Sequence, residues 1–143
     1  KQWIKENKKD LLIELYHLQI DYLDRSDNYD LTILTLHKFR QLVGDNDEKQ
    51  IAYIYLQLAS TFCFKGNIDS LNYWQSKAEK FRSSTSPLYG NYLLLDGLKN
   101  SYTGKYTIAI TSDWQAVSFF EKNGYVFKSR NVLKRVSLVY FAM

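Results

Sequence analysis

Apolar residues recur along this chain at the spacing of a helix face. Ile51, Ile54, Tyr55, Leu58, Ala59 and Phe62 stand at i, i+3, i+4, i+7, i+8 and i+11, which lines them up on one side of a helix. Past Gly66, a second stripe follows in Leu71, Trp74, Ala78 and Phe81. The same pairing occurs upstream in Leu12, Leu15, Tyr16, Ile20 and Leu23, then in Tyr29, Ile33, Leu36, Phe39 and Val43. Downstream, Tyr106, Ile110, Val117 and Phe120 make one stripe, and Val132, Val136, Val139, Tyr140 and Met143 another. The breaks carry helix-ending chemistry. Gly44 and Gly124 suit the left-handed residue that closes a helix, and Asp45, Asp47 and Glu48 place acids where the next one begins. In Ser83 to Pro87, the proline disfavours helical geometry in the residue before it and suits a first helical turn itself. These signals predict helices over 3–24, 29–43, 47–64, 68–82, 87–102, 106–122 and 126–142, an all-α chain forming one domain over 1–143.

The turns repeat. A small residue, a turn glycine and the apolar residue after it recur 38 positions apart: Ala59 and Gly97, Gly66 and Gly104, Ile68 and Tyr106. Asp27-Asn28-Tyr29 fills the same turn slot upstream, with Tyr29 standing 39 positions before Ile68. The units are therefore helical hairpins over about 3–43, 47–82 and 87–122, followed by a last helix over about 126–142.

In Tyr55, Leu58, Ala59, Phe62, Gly66 and Ala78, and in Gly97, Gly104, Tyr106, Ala109 and Ala116, the chain resembles the tetratricopeptide-repeat (TPR) family. Leu71 and Gln75 depart from that pattern, and the spacing exceeds the usual 34 of the family. The resemblance implies a right-handed superhelix of about three hairpins plus a terminal helix, whose first helices line a concave groove. It implies that Glu14, His17 and Asp21, Tyr53, Leu56, Ser60 and Cys63, Asn91, Leu94, Leu98 and Ser101, and Asn131 and Lys134 face the groove. Asn91 and Asn131 would offer donors and acceptors to the backbone of an extended peptide, with Tyr53, Leu56 and Leu94 forming apolar pockets.

Composition narrows the class. At 45% hydrophobic the 143-residue chain is too apolar for intrinsic disorder, and a single proline with six glycines leaves few of the turns an all-β domain needs. The lone Cys63 makes no internal disulfide, and secretory leaders, glycosylation sequons and apolar runs of membrane length are absent from the sequence. The expectation is a cytoplasmic chain without membrane partners. Lys1 rather than Met opens it and an apolar Tyr140-Phe141-Ala142-Met143 closes it, which leads to the expectation of a piece of a longer protein.

All of the net charge of +4 lies after residue 120, in Lys122, Lys128, Arg130, Lys134 and Arg135 against Glu121. Lys128, Arg130, Lys134 and Arg135 form a candidate basic patch for an acidic partner or phosphate backbone, or the solvated face of a terminal helix. Chemistry-bearing signals are sparse. His17 and His37 fall on different helices without metal-ligand spacing, Cys63 has no base nearby in sequence, and Asp45-Asn46-Asp47-Glu48 lacks the glycine and distal glutamate of a calcium loop. Neither catalytic residues, cofactor nor metal are predicted. The leading expectation is a protein- or peptide-binding module, the sensory or scaffolding part of a signalling or transcription-regulating protein. A dimerisation segment of a larger regulator, or nucleic-acid contact through the basic last helix, is the alternative.

Overall fold

The computed structural model describes residues 1–143, the side chain of residue 142 excepted. The described residues form seven helices and no strand: α1 (Gln2–Arg25), α2 (Tyr29–Val43), α3 (Glu48–Phe64), α4 (Ile68–Glu79), α5 (Tyr89–Tyr102), α6 (Tyr106–Lys122) and α7 (Val126–Ala142). No helix among them is long and apolar enough to cross a membrane.

The turns follow from glycine chemistry. Gly44, Gly66, Gly104 and Gly124 have φ between +74° and +78°, a region that a β-carbon penalises. After three of them the chain closes with a backbone bond reaching five residues back: Asn67 N–H to the Phe62 carbonyl at 2.9 Å, Lys105 to Asn100 at 2.8 Å and Tyr125 to Phe120 at 2.7 Å. Asp27 takes the same conformation in the first turn, at φ 55°. Side-chain caps start several of the helices that follow. Asn28 accepts from the Leu31 N–H, Asp47 from Gln50 and Asn67 from Ser70.

Two boundaries differ from the sequence pattern by more than one residue. α4 stops at Glu79 instead of running to residue 82, and the Arg82 N–H closes a final turn on the Glu79 carbonyl. α5 begins at Tyr89, not at Pro87, because Ser86 holds the Leu88 N–H with its hydroxyl and the Tyr89 N–H with its carbonyl.

The chain packs as two compact units, residues 1–78 and 79–143. In the first, α1 packs on α2 and α2 on α3. Tyr16 stacks on Phe39 at 5.0 Å between ring centres, and Phe39 meets Tyr53 edge-on at 6.5 Å, so each helix contributes a ring. α4 joins through Trp74, whose ring lies 5.5 Å from Tyr55 and 5.8 Å from His37. In the second unit α5 packs on α6 and α6 on α7 around a core of Leu93, Ala116, Val117, Phe120, Val132 and Val136.

Some stripe residues stand elsewhere than their spacing implies. Leu15 is 52% exposed, whereas Ile20 and Leu23 of the same stripe are buried. It lies on a second, outward stripe of α1 with Ile4, Leu11, Leu18 and Tyr22, and a helix apolar on two faces gives periodicity no means of choosing between them. On α7, Tyr140 is likewise exposed, as is Met143 just past its end, while Val132, Val136 and Val139 are buried.

Candidate functional site

The best-formed polar arrangement outside the cores lies in the first unit, where side chains of α1 and α3 meet. His17 is half-buried on α1 and its ring lies 4.3 Å from that of Tyr53 on α3, tilted by 51°. The edge of Phe39 closes the other side at 5.4 Å. His17 Nε2 and Gln50 Oε1 are 2.7 Å apart; with the amide oxygen accepting, Nε2 carries the hydrogen. The imidazole is thereby fixed by a ring contact on each side and one hydrogen bond.

One turn beyond His17 stands Asp21, and three residues further Asp24, so one helix brings two carboxylates close together. Both keep solvent contact. Asp24 is pushed up to about 6, first by partial removal from water and then by the charge of Asp21. Burial, followed by the fields of Asp21 and Asp24, raises the Tyr53 phenol well above its ordinary value. Tyr53 is thus a neutral hydroxyl at any physiological pH. From Asp10 to Asp24 the chain has four acids and neither Lys nor Arg, and no ion pair among the described residues engages Asp21 or Asp24. The arrangement offers two carboxylates without an ion pair, backed by aromatic rings, with Arg25 the next residue along the helix, which suits an ammonium or guanidinium group.

The structure brings together His17, Asp21 and Tyr53 from the expected groove set, with Glu14 exposed one turn before. Others are covered. Leu56 is 2% exposed and Cys63 0%, so both pack inward instead of lining an open surface, and Tyr53 itself shows only 8%. The physical reason is that α3 is buried on nearly all sides, which defeats an assignment of groove positions as whatever falls between core stripes. Ser60 is half-buried.

Within the second unit Asn91 is half-buried, and its Oδ1 is enclosed without a hydrogen-bond partner. Leu94 packs against the core and gives its carbonyl to Arg135. Leu98 and Ser101 are half-buried, while Asn131 and Lys134 are exposed on α7. Of the basic patch, Lys128, Arg130 and Lys134 are exposed, with the Lys128 ammonium 5.5 Å and 5.2 Å from the ring centres of Phe120 and Tyr125. Arg135 departs from the patch: it is paired with the buried Asp113 and holds no charge in reserve for a partner. The pattern also passed over an apolar groove of about 490 Å³ between α6 and α7, lined by Trp114, Leu133, Val136, Ser137, Tyr140 and Phe141. Its one sequence signal is Trp114, a large apolar residue off the α6 stripe. Among the described residues no group of three His, Cys, Asp or Glu side chains converges as a metal site.

Comparison with protein-family models, with curated proteins and with solved structures gives no significant match.

Proposed function

We propose that this chain is a protein- or peptide-binding module of TPR-like helical hairpins, serving as the sensory or scaffolding part of a signalling or transcription-regulating protein. The surface around His17, Asp21, Asp24 and Tyr53 takes a segment bearing a cationic group. One observation carries this reading: two neighbouring carboxylates, without a cation paired to them, stand beside a fixed imidazole and a buried phenol. Holding such charges together costs free energy in the free protein, and a cation placed between them recovers it.

The role is binding, not catalysis. The lone thiol, Cys63, is fully buried away from any substrate, and His17 spends its Nε2 hydrogen on Gln50. Nucleic-acid contact through α7 is the weaker reading, because Arg135 is committed to Asp113 and three bases remain for phosphate.

Calorimetric titration with short extended host peptides, alike except for a central Lys, Ala or Glu, tests the assignment. The Lys peptide is expected to bind about 10-fold or more tightly than the Glu peptide, a difference of roughly 1.4 kcal/mol. In an Asp21→Asn/Asp24→Asn variant that preference collapses. Equal binding of all three peptides by the wild type, or a preference unchanged in the variant, contradicts the reading.

A further inference from the structure

Lys77 on α4 follows Tyr73 by four residues and Trp74 by three, the two spacings at which side chains on a helix meet. α3 adds a third ring from outside the helix: the centre of Tyr55 lies 5.5 Å from that of Trp74, which Tyr73 meets edge-on at 4.9 Å. The Lys77 ammonium stands over all three rings, 5.1 Å from the centre of Tyr73, 5.8 Å from Tyr55 and 5.9 Å from Trp74. No ion pair among the described residues engages Lys77. The neighbouring Arg40, whose guanidinium reaches the Tyr55 hydroxyl, is itself paired with Asp45. Ring faces, not a carboxylate, hold the Lys77 charge.

Distance and hydrogen bonding say which cation these rings suit. A bare ammonium resting centrally on a ring face would stand about 3.5–4.0 Å from it. Methylation extends the nitrogen by about 1.5 Å in each direction, which places an N-methylated ammonium roughly 5 Å from the ring centres. The Lys77 nitrogen already stands at 5.1–5.9 Å from all three, so the rings leave about a methyl group of room around it. A primary ammonium also carries three N–H donors, for which ring faces are weak acceptors. A trimethylammonium group has none to satisfy and gains contact with every ring.

We propose that Tyr55, Tyr73 and Trp74 form a binding site for a trimethylammonium group, with Lys77 as the resident cation that an incoming ligand displaces. The site is open to solvent: Tyr73 is 53% exposed, and Tyr55, Trp74 and Lys77 are half-buried. Because Lys77 occupies the rings in the free protein, it competes with any ligand and weakens binding. The group is carried by a choline-type small molecule or by a trimethylated lysine side chain. This site shares no residue with the surface around Asp21 and Asp24 and does not rest on the peptide reading.

NMR of the Trp74 indole N–H tests it, during titration with choline and with its uncharged isostere 3,3-dimethyl-1-butanol. All proteins carry Asp21→Asn/Asp24→Asn, so that those carboxylates do not contribute, and circular dichroism checks that each stays helical. In the Lys77→Ala variant choline is expected to shift the signal saturably and to bind about 5-fold or more tightly than the isostere. The parent with Lys77 in place is expected to bind choline about 5-fold or more weakly than the variant. Adding Tyr73→Leu, at an exposed position, is expected to remove the preference for choline, and Tyr73→Phe to keep it. No saturable shift, equal affinity for the isostere, or a parent that binds as tightly as Lys77→Ala overturns the proposal. A trimethyl-lysine peptide that binds more tightly than choline supports it with a modified protein segment as the source, and the reverse order supports it with a free small molecule.

Discussion

The Arg135 guanidinium of α7 grips the Asp113 carboxylate of α6 with two of its nitrogens, Nε donating to Oδ2 at 3.1 Å and Nη2 to Oδ1. Nη2 also donates to the Leu94 carbonyl on α5 at 2.9 Å, so one side chain ties three helices. Asp113 is fully buried. A carboxylate removed from water is costly unless paired and hydrogen-bonded, and the two-pronged geometry meets that requirement. Arg135→Ala strands the charge, and a loss of about 3–5 kcal/mol is expected. An Asp113→Leu/Arg135→Met double variant strands nothing and is expected to lose much less. Urea unfolding of the three proteins checks the order.

Gly97 is part of the same arrangement. A β-carbon there would collide with Asp113 Oδ1 and stand 2.9 Å from Arg135 Nη2, so the ion pair occupies the space that glycine leaves on α5. Gly97→Ala displaces the pair, and a loss of about 2–4 kcal/mol is expected, within the range of other breaches of a buried ion pair or network. In the Asp113→Leu/Arg135→Met background the penalty is expected to change, because the two sites share contacts. Additive losses contradict the account.

The turn glycines give a contrasting case. A β-carbon at Gly104 meets open space, so its constraint is the φ of +77° alone. Gly104→Ala is expected to cost about 1 kcal/mol from backbone strain. Asp27 already bears that strain at φ 55°, and Asp27→Gly is expected to be neutral or stabilising by up to ~1 kcal/mol. Thermal unfolding of the two variants measures the opposite signs.

Asp24 supplies a pH dependence. Its carboxyl holds its proton more tightly in the folded chain, at about 6 against an ordinary 3.8. The folded state therefore gains most below the ordinary value and loses that advantage as pH rises through about 6. Asp24→Asn removes the charge, so at neutral pH the variant is expected to exceed the wild type in stability. The gain stays at or under ~1 kcal/mol because solvent screens the exposed carboxylate. The two proteins converge near pH 4. Denaturation across this range checks both the sign and the window.

Much of the fold was legible in sequence. The ranges 29–43, 106–122 and 126–142 agree with α2, α6 and α7 end to end, because the positive-φ glycines Gly44, Gly104 and Gly124 and the Asn28 cap mark helix ends locally. Which face meets which neighbour is not a local property. Spacing put Leu15 on the inner stripe, and nothing in the sequence distinguishes Arg135, neutralised by a residue 22 positions away, from Lys134 beside it. The same limit holds at the candidate site. His17, Asp21 and Tyr53 stand among the groove positions that the family resemblance implies, but the burial of Leu56 and Cys63 depends on packing around α3. Gln50, which fixes His17 from 33 positions away, and the effect of Asp21 on Asp24 emerge only in three dimensions.

Backbone NMR during titration with the Lys-bearing host peptide locates the surface that the peptide occupies. The perturbed amides are expected to cluster on residues 17–24 of α1 and 50–53 of α3, with the His17 ring signals moving in step. Perturbations centred instead on Trp114 and residues 133–141, or none at peptide saturation, would contradict the proposed function.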